Sequence, residues 1–227
     1  MSDSQQVADP RQTVLIAVPN EGWIHKTVVR NVFALLQDNR YKCTYIDPTW
    51  KPCEYNRARI HDEAVCKKYD WLLMIDADNP PQRNPLDLID LNCDVIGLPT
   101  LVYAKGGIYW NGMDWNESEQ GWNAHKTQEG LQEVDAVGSG CILIARRVLV
   151  ALHHRQPWVR EWDSRGFVTA GTDWAFCKRA KSAGYRVWMH YDYWCEHYKE
   201  HAVHEYTMAV ERSGAEAPAQ SGQRQGR

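Results

Sequence analysis

Two carboxylates follow an apolar segment of the chain without a spacer. The sequence WLLMIDADNPP (71–81) places Asp76 and Asp78 directly after five mostly apolar residues, and two prolines then interrupt it. Two Asp one residue apart can share a hard divalent cation, because Mg²⁺ and Mn²⁺ prefer oxygen ligands and leave positions open for phosphate oxygens. From the tripeptide alone, a turn is the favoured interpretation, in which Asp78 and Asn79 cap the next segment.

A third carboxylate and a histidine-bearing segment follow about a hundred residues later. Asp173 lies in AGTDWAFCKRA, at the start of a predicted helix, and YDYWCEHYKEH comes after it. A carboxylate at a helix start can act as a general base, and an imidazole is a suitable third ligand for Mn²⁺. Taken alone, Asp173 is better explained as a simple helix cap.

The first half of the chain alternates between strands and helices. Strands are predicted at 13–19, 42–48, 71–75 and 93–99, with helices at 24–37, 55–69 and 84–91 between them. Such alternation predicts a parallel sheet covered by helices on both faces, with ligands beyond the carboxyl ends of the strands. Asn20-Glu21, Asp47 and the Asp76–Asp78 pair would converge on one edge of that sheet. This context favours a metal site over a turn.

The second half of the chain is less regular. Apolar strands are predicted at 132–138 and 141–145, separated by Gly138-Ser139-Gly140, with helices at 146–154 and 172–184 and a last strand at 185–191. Residues 100–133 are rich in Gly, Trp, Asn, Tyr and Glu, which predicts a hairpin and a long loop. Eleven Trp against three Phe favour a groove or interface lined by indole rings, because a hidden Trp N–H needs a partner.

Composition and charge exclude several classes of protein. A net charge of −3 gives no global positive field for nucleic acid or an anionic membrane. No apolar run approaches the ~18 residues of a membrane span, and the start of the chain lacks the apolar core of a secretory signal. Seven Cys without a CxxC motif indicate reduced thiols. We therefore expect a cytoplasmic protein with one domain (13–200), a disordered leader (1–12), a C-terminal helix (201–212) and a disordered tail (213–227).

The order of these motifs resembles that of the GT-A-fold glycosyltransferases, close to the family-2 type, over roughly residues 13–200. The resemblance rests on TVLIAVPNEG, on NRARIHDEAV leading to YDWLLMIDAD, on VDAVGSGCILIARRVL, and on GTDWAFCKRAKSAGYRVWMH with a later histidine. It implies an α/β fold with a single GT-A (Rossmann-like) domain. A mostly parallel central sheet would be flanked by helices, with a smaller antiparallel sheet on the acceptor side. Residues 13–99 would bind the nucleotide and residues 100–200 the acceptor.

On the donor side, the resemblance implies a nucleoside diphosphate sugar, with UDP as the expected nucleotide, and a bound Mn²⁺ or Mg²⁺. Asp76 and Asp78 would hold the ion, with His197 as the third ligand and His190 or His201 as alternatives. The ion would offset negative charge on the departing nucleoside diphosphate. The resemblance also assigns donor contacts to Pro19, Glu21, Asp47, Arg59, Asp76, Gly138, Ser139 and Gly140. Surface positions for Arg59 and His197, and a plain connecting turn at the glycines, stay open as alternatives.

On the acceptor side, the resemblance implies that Asp173 deprotonates a hydroxyl group for attack on the anomeric carbon. The acidic neighbour usual in the family is replaced by Thr172, so the motif reads TD rather than ED, which leaves the acceptor contacts open. Trp110, Trp115 and Trp174 are candidates for acceptor contact, with a hydrophobic brace for the loop as the alternative. Inversion or retention at the anomeric carbon is also open.

The expected function is a metal-dependent hexosyltransferase acting on a hydroxyl acceptor. Small enzymes of this type occur in bacteriophages, and some glycosylate hydroxylated bases in DNA. Nine basic residues favour duplex DNA as the acceptor, namely Arg146, Arg147, Arg155, Arg160, Arg165, Lys178, Arg179, Lys181 and Arg186. Glycan, lipid-linked or small-molecule acceptors and a non-catalytic sugar-nucleotide-binding protein are alternatives. A sugar-phosphate nucleotidyltransferase would require a Gly-rich, basic turn where this chain has PNEGWIHK.

Overall fold

A computed structural model describes residues 9–104 and 107–199. The strands are β1 (Thr13–Ala17), β2 (Lys42–Ile46), β3 (Trp71–Ile75), β4 (Val95–Gly97), β5 (Leu101–Ala104), β6 (Gly107–Trp110), β7 (Met113–Asn116), β8 (Gly121–Ala124), β9 (Leu131–Val134), β10 (Cys141–Ala145), β11 (Glu161–Trp162), β12 (Val168–Ala170) and β13 (Val187–His190). The helices are α1 (Lys26–Leu36), α2 (Cys53–Cys66), α3 (Arg146–Leu152) and α4 (Thr172–Ser182), with a 3₁₀ helix (Pro85–Leu91) between β3 and β4. The described residues up to His197 belong to one compact unit.

The central sheet has seven strands in the order β2-β1-β3-β10-β4-β13-β9. β1 pairs in parallel with β2 and β3, and β13 pairs in parallel with β4. β10 lies antiparallel between β3 and β4, which therefore point the same way, and β9 is an antiparallel edge strand beside β13. Five strands thus share one direction and two oppose it. The predicted α/β fold with a mostly parallel central sheet is confirmed.

The central strands are apolar on both faces because both faces are covered. Every residue of β3 and β10 is buried. Along β3, Leu72 and Met74 join the core cluster that includes α2, α3 and α4, whereas Leu73 and Ile75 join the cluster that includes α1 and the 3₁₀ helix. The alternation follows from the two-residue period of a strand, and it fixes the direction in which β3 delivers the residues that follow it.

Capping side chains and glycines mark the ends of several helices. Asn84 caps the 3₁₀ helix by accepting a hydrogen bond from Leu86 N at 3.0 Å, and Gly184, at φ +89°, follows α4. Phe33 of α1 is 62% exposed although it is apolar. The buried residues of α1 are Val28, Val32 and Leu35, and Phe33 lies well away from that stripe at about 100° per residue.

Outside the central sheet, the described residues form three separate antiparallel hairpins, β5–β6, β7–β8 and β11–β12. Two of them occupy much of the segment 100–133, for which one hairpin and a long loop were expected. β7 is joined to the main body through paired backbone contacts between Met113 and Ala136. The Trp-rich segment is therefore regular structure, and its indole rings have fixed places.

Several expectations concern residues at the ends of the chain. The expected C-terminal helix (201–212) and tail (213–227) lie outside the described residues, as does most of the expected leader (1–12), so these divisions stay predictions. No helix in the described ranges combines the length and apolarity needed to cross a bilayer. All seven cysteines are free thiols.

Candidate active site

A cavity of about 270 Å³ opens at the carboxyl ends of β1 and β3. The turn after β1 contributes Pro19 and Glu21, the start of α2 contributes Asn56 and Arg57, and the segment 76–78 closes the inner side. Trp23 and Trp50 add two partly exposed indole rings to its rim. The predicted position of the site, at the carboxyl edge of the sheet, agrees with this cavity.

The turn after β1 is locked by its own amide side chain. Asn20 Nδ2 donates to the carbonyl oxygens of Val18 and Asp47 at 3.2 and 3.0 Å, and its Oδ1 accepts from Gly22 N at 2.9 Å. The Asp47 side chain is exposed, and this residue does not line the cavity. Pro19 and Glu21 therefore line the cavity, as predicted for donor contacts. Asp47 is connected to it only through its backbone carbonyl, which accepts from Asn20.

Arg57 is the centre of the hydrogen-bond network behind the cavity. Its side chain is 8% exposed, and Nη2 lies 3.2 Å from Asp76 Oδ1. Nη2 also donates to Ser139 Oγ, and Nη1 donates to Thr172 Oγ1. Ser139 Oγ in turn donates to Asp76 Oδ2 at 3.3 Å. One guanidinium thus ties together α2, the end of β3, the turn before β10 and the start of α4.

The structure places Arg57, rather than the predicted Arg59, at the cavity. Arg59 is exposed and lies over the ring of Trp50, with Cζ 5.5 Å from the ring centroid. Arg57, two residues earlier, lines the cavity instead. The missed signal is the helical spacing of the buried α2 residues Arg57, Ile60 and Ala64, a stripe that excludes Arg59. Thr172, which replaces an acidic residue in the motif, serves as an acceptor for Arg57.

Two buried polar atoms beside the cavity have no protein partner among the described residues, Asn56 Oδ1 and Arg57 Nε. Asn56 is 3% exposed, and its Nδ2 donates to Pro48 O at 2.9 Å. Because buried polar groups are nearly always hydrogen-bonded, these two atoms are suited to a bound molecule. Asn56 was not a candidate in the sequence analysis.

The carboxylates of Asp76 and Asp173 face the same turn. Asp173 Oδ2 accepts from Ser139 N at 3.2 Å, and its Oδ1 accepts from Trp174 N at 3.0 Å. Asp173 is the second residue of α4, whose N-cap is Gly171, so it is not the cap itself. Burial raises the pKa of Asp76, and the negative charges of Asp78 and Asp173 raise it further. The positive charge of Arg57 acts in the opposite direction.

Asp78 faces His197, with Oδ2 and Nε2 3.5 Å apart. His197 Nδ1 is 2.9 Å from the carbonyl oxygen of Leu101. A carbonyl only accepts, so Nδ1 carries the proton and Nε2 is the atom directed at Asp78. A carbonyl that fixes the tautomer in this way is the usual support of a metal-binding imidazole. Adjacent ligands of an octahedral Mg²⁺ lie about 3 Å apart. The 3.5 Å between Asp78 Oδ2 and His197 Nε2 is close to that distance.

The segment that carries His197 is held between two others. Cys195 N donates to Pro99 O at 2.9 Å, and Glu196 N donates to Pro80 O at 3.1 Å. Asn79 Nδ2 also donates to Glu196 O at 3.0 Å. His190, an alternative ligand, packs against Tyr193 with a centroid separation of 4.9 Å, and His201 lies outside the described residues. The structure therefore brings His197, rather than His190, to Asp78.

The three predicted metal ligands are only partly assembled. Across residues 9–104 and 107–199, Asp76, Asp78 and His197 do not bring one ligand atom each within 4.8 Å of one another. Asp76 is engaged by Arg57 and Ser139, whereas Asp78 and His197 face each other. Their carboxylate and imidazole groups fit Mn²⁺ or Mg²⁺.

Both glycines of the turn before β10 are required by packing. A Cβ on Gly138 would lie 2.0 Å from Asn111 Nδ2, and one on Gly140 would lie 2.6 Å from Thr100 Oγ1. Gly140 O also accepts from Asp76 N at 2.9 Å. The backbone at Gly138 and Gly140 is therefore packed closely against other protein side chains. Ser139, between them, accepts a hydrogen bond from Arg57.

The candidate acceptor tryptophans separate into two groups. Trp115, Trp122 and Trp174 form one cluster, with centroid separations of 5.2 Å and 5.1 Å between successive rings. Trp110 lies apart from it and faces Trp194, with ring centroids 6.5 Å apart. Trp122 was not a candidate in the sequence analysis, although its ring joins the other two. Trp174 follows Asp173 directly, which places the cluster next to that carboxylate.

The basic residues of the second half are mostly neutralised by carboxylates. Seven of the nine form ion pairs, namely Arg147, Arg160, Arg165, Lys178, Arg179, Lys181 and Arg186. Arg146 donates to the backbone carbonyls of Val65 and Tyr69. The charge run that favoured DNA is thus distributed mostly over ion pairs, and DNA as the acceptor stays a prediction.

Comparison with known proteins bears on the fold. No family model and no curated protein sequence matches this chain. The crystal structure of A197 from STIV shares 16% identity with a TM-score of 0.54, covering 83% of this chain and 86% of that chain. A UDP-glucose pyrophosphorylase complexed with UDP-glucose has 10% identity and a TM-score of 0.45, over 90% and 98% of the two chains. A glycosyltransferase involved in glycosylation of the major capsid of PBCV-1 has 17% identity and a TM-score of 0.36, over 66% and 70%. At these identities, the likeness to A197 supports the fold alone.

Proposed function

We propose that this chain is a metal-dependent glycosyltransferase that moves a sugar from a nucleoside diphosphate sugar, UDP-linked, to a hydroxyl acceptor. The observation that carries the proposal is the facing pair of Asp78 Oδ2 and His197 Nε2, 3.5 Å apart, beside the cavity at the end of β3. The charges of Asp78 and Asp173 act on Asp76 beside a single guanidinium, that of Arg57, so the site favours a cation. A negatively charged diphosphate requires that cation as a bridge.

Asp78 and His197 would hold Mn²⁺ or Mg²⁺. Asp76 would act on the ion through water, or directly from the position in which Arg57 holds it. When bound, the ion supplies charge neutralisation for the diphosphate. The cavity of about 270 Å³ is slightly below the ~300 Å³ at which small-molecule sites commonly begin. A cavity of this size suits a part of the sugar nucleotide, namely the base and the ribose. Trp23 and Trp50 lie at its rim, and Asn56 Oδ1 can accept a hydrogen bond from an N–H or hydroxyl group of the nucleotide.

Asp173 is proposed as the base that takes the proton of the acceptor hydroxyl. A bond then forms between that oxygen and the anomeric carbon, while the bond from the anomeric carbon to the diphosphate oxygen breaks and the nucleoside diphosphate leaves. The Trp115–Trp122–Trp174 cluster beside Asp173 offers aromatic faces to the C–H surface of a sugar or to another flat acceptor. We therefore favour a neutral hydroxyl acceptor over duplex DNA.

A donor screen by nucleotide release tests the proposal. We expect release from one class of nucleoside diphosphate sugar with Mn²⁺ or Mg²⁺ and none with EDTA. Asp78→Asn should lower the rate at least tenfold, whereas the exposed Asp192→Asn should behave as the wild type. Release that is equal in EDTA, or unchanged in Asp78→Asn, would overturn the metal-dependent mechanism.

A further inference from the structure

A second group of metal-ligating side chains lies where α2 meets α3, and the proposed glycosyl transfer does not use it. Asp62 and Cys66 are four residues apart on α2, which places them on one face of the helix. His153 is the C-cap of α3. One ligand atom from each of these three residues lies within 4.8 Å of the other two.

We propose that Asp62, Cys66 and His153 bind one divalent cation of the zinc class. A thiolate, an imidazole and a carboxylate are ligands that Zn²⁺ takes in proteins. This set differs from the oxygen-rich set at Asp76 and Asp78, because a thiolate disfavours Mg²⁺ and selects softer ions. The two sites are therefore expected to bind different metals.

The distances between the donor atoms are close to those of a tetrahedral ion. With ordinary zinc–ligand bond lengths, sulfur and oxygen ligands lie about 3.6 Å apart, and nitrogen and oxygen ligands about 3.4 Å apart. In the structure, Cys66 Sγ is 3.8 Å from Asp62 Oδ1, and His153 Nε2 is 2.9 Å from the same oxygen. Small side-chain shifts are enough to place an ion among the three atoms.

Space for a fourth ligand adjoins the group. A cavity of about 190 Å³ is lined by Asp62, His153 and His154, among others. His154 has a positive φ of 64°, and its ring centroid is 3.7 Å from that of His153. Water or the His154 imidazole can occupy the remaining position. Ion binding releases the thiol proton of Cys66, together with any proton that His153 shares with Asp62.

A bound ion would fasten α2 to the end of α3. Because α2 carries Arg57 into the active site, the ion would stabilise the element that positions Asp76. The expected effect is therefore a higher melting temperature of the whole protein with Zn²⁺, since a ligand that binds only the folded state shifts unfolding.

Cobalt titration of the metal-stripped full chain tests the proposal. We expect one equivalent of Co²⁺ to give the near-ultraviolet thiolate-to-cobalt charge-transfer band, and Zn²⁺ to displace it and raise the melting temperature. Oxygen and imidazole ligands alone give no such band, so binding at Asp78 and His197 does not imitate it. Cys53→Ser removes the other exposed cysteine of α2 and should leave the band intact.

Two variants decide the assignment. Cys66→Ser should abolish the band, and His153→Gln should weaken cobalt binding at least tenfold, with the metal-free circular dichroism spectrum checking that each variant is folded. The proposal is overturned if the wild type gives no charge-transfer band at saturating cobalt. It is equally overturned if the band persists in Cys66→Ser or disappears in Cys53→Ser alone.

Discussion

Arg57 Nη2 lies 3.2 Å from Asp76 Oδ1, and both residues line the cavity at the end of β3. The first carboxylate of the DAD sequence is therefore balanced inside the protein by a buried guanidinium. The second carboxylate, Asp78, faces His197 instead. Asp76 and Asp78 therefore have different partners, although only one residue separates them.

Arg57→Met should destabilise the protein and remove transferase activity. Removing one partner of a buried ion pair leaves the other uncompensated, which lowers the free energy of unfolding by about 3 kcal/mol. Arg59→Met is the matched control, because Arg59 is exposed on the same helix, and it should change stability by less than about 0.5 kcal/mol. Urea denaturation of both variants measures the difference, and equal losses would contradict the assignment of Arg57.

The contrast between these arginines indicates what the sequence could reveal. The continuous apolar runs of β1, β3 and β10 predict buried strands because the sheet is covered on both faces. The exposed Arg59 was chosen because a family motif matches it, whereas the buried stripe of α2 identifies Arg57. Long-range partners of Arg57, such as Ser139 and Thr172, could not be predicted, because they come together only through the order of strands in the sheet.

The hairpins show a different limit. Trp115 and Trp122 pair directly across β7 and β8, two short strands joined by the polar segment ESEQ (117–120). The approach of Trp174 from α4 depends on tertiary packing, so no local pattern predicts it. Sequence reasoning therefore identified two members of this cluster and missed Trp122.

Gly140→Ala should destabilise the turn that carries Ser139. The added Cβ would lie 2.6 Å from Thr100 Oγ1 and 3.1 Å from Asn79 Cγ, so overpacking should lower the free energy of unfolding by about 1–3 kcal/mol. Gly121→Ala is the control, because its Cβ would meet only Glu119 O, at 3.7 Å. Thermal unfolding compares the two variants. A Gly140→Ala protein as stable as Gly121→Ala would show that the turn is not tightly packed.

His61 should make stability depend on pH between about 4 and 6.5. Burial lowers the pKa of His61 to about 4, whereas the hydrogen bond from Nε2 to Leu149 O acts in the opposite direction. The lone pair of Nδ1 is occupied, because it accepts from Trp158 Nε1. Between pH 4 and 6.5, His61 is protonated in the unfolded chain but mostly neutral in the folded chain. The free energy of unfolding therefore decreases as the pH falls from 6.5 towards 4. The loss attributable to this group is about 3 kcal/mol at most.

His61→Gln tests that dependence, because an amide can donate to Leu149 O and accept from Trp158 Nε1 without titrating. Urea midpoints at pH 7 and pH 4.5 should differ less in the variant than in the wild type. The same difference in both proteins would assign the acid sensitivity to other groups.

Duplex DNA should not bind with the salt dependence of a phosphate-binding surface. Seven of the nine basic residues that favoured DNA are paired with carboxylates, and Glu161 alone meets Lys178 and Arg179. We expect no gel retardation at low salt by the wild type. Glu161→Gln, which releases both cations, is the variant in which weak binding would first be expected. A wild-type complex that weakens steeply with salt would restore DNA as the acceptor.

The position of the bound ion decides whether Asp78 and His197 form the metal site. Anomalous diffraction from crystals soaked with Mn²⁺ and the donor found in the nucleotide-release screen locates manganese without reference to activity. We predict a peak within bonding distance of both Asp78 Oδ2 and His197 Nε2, lost in His197→Gln. A donor bound in the cavity with no manganese at these two atoms, or manganese held by other residues alone, would contradict the account.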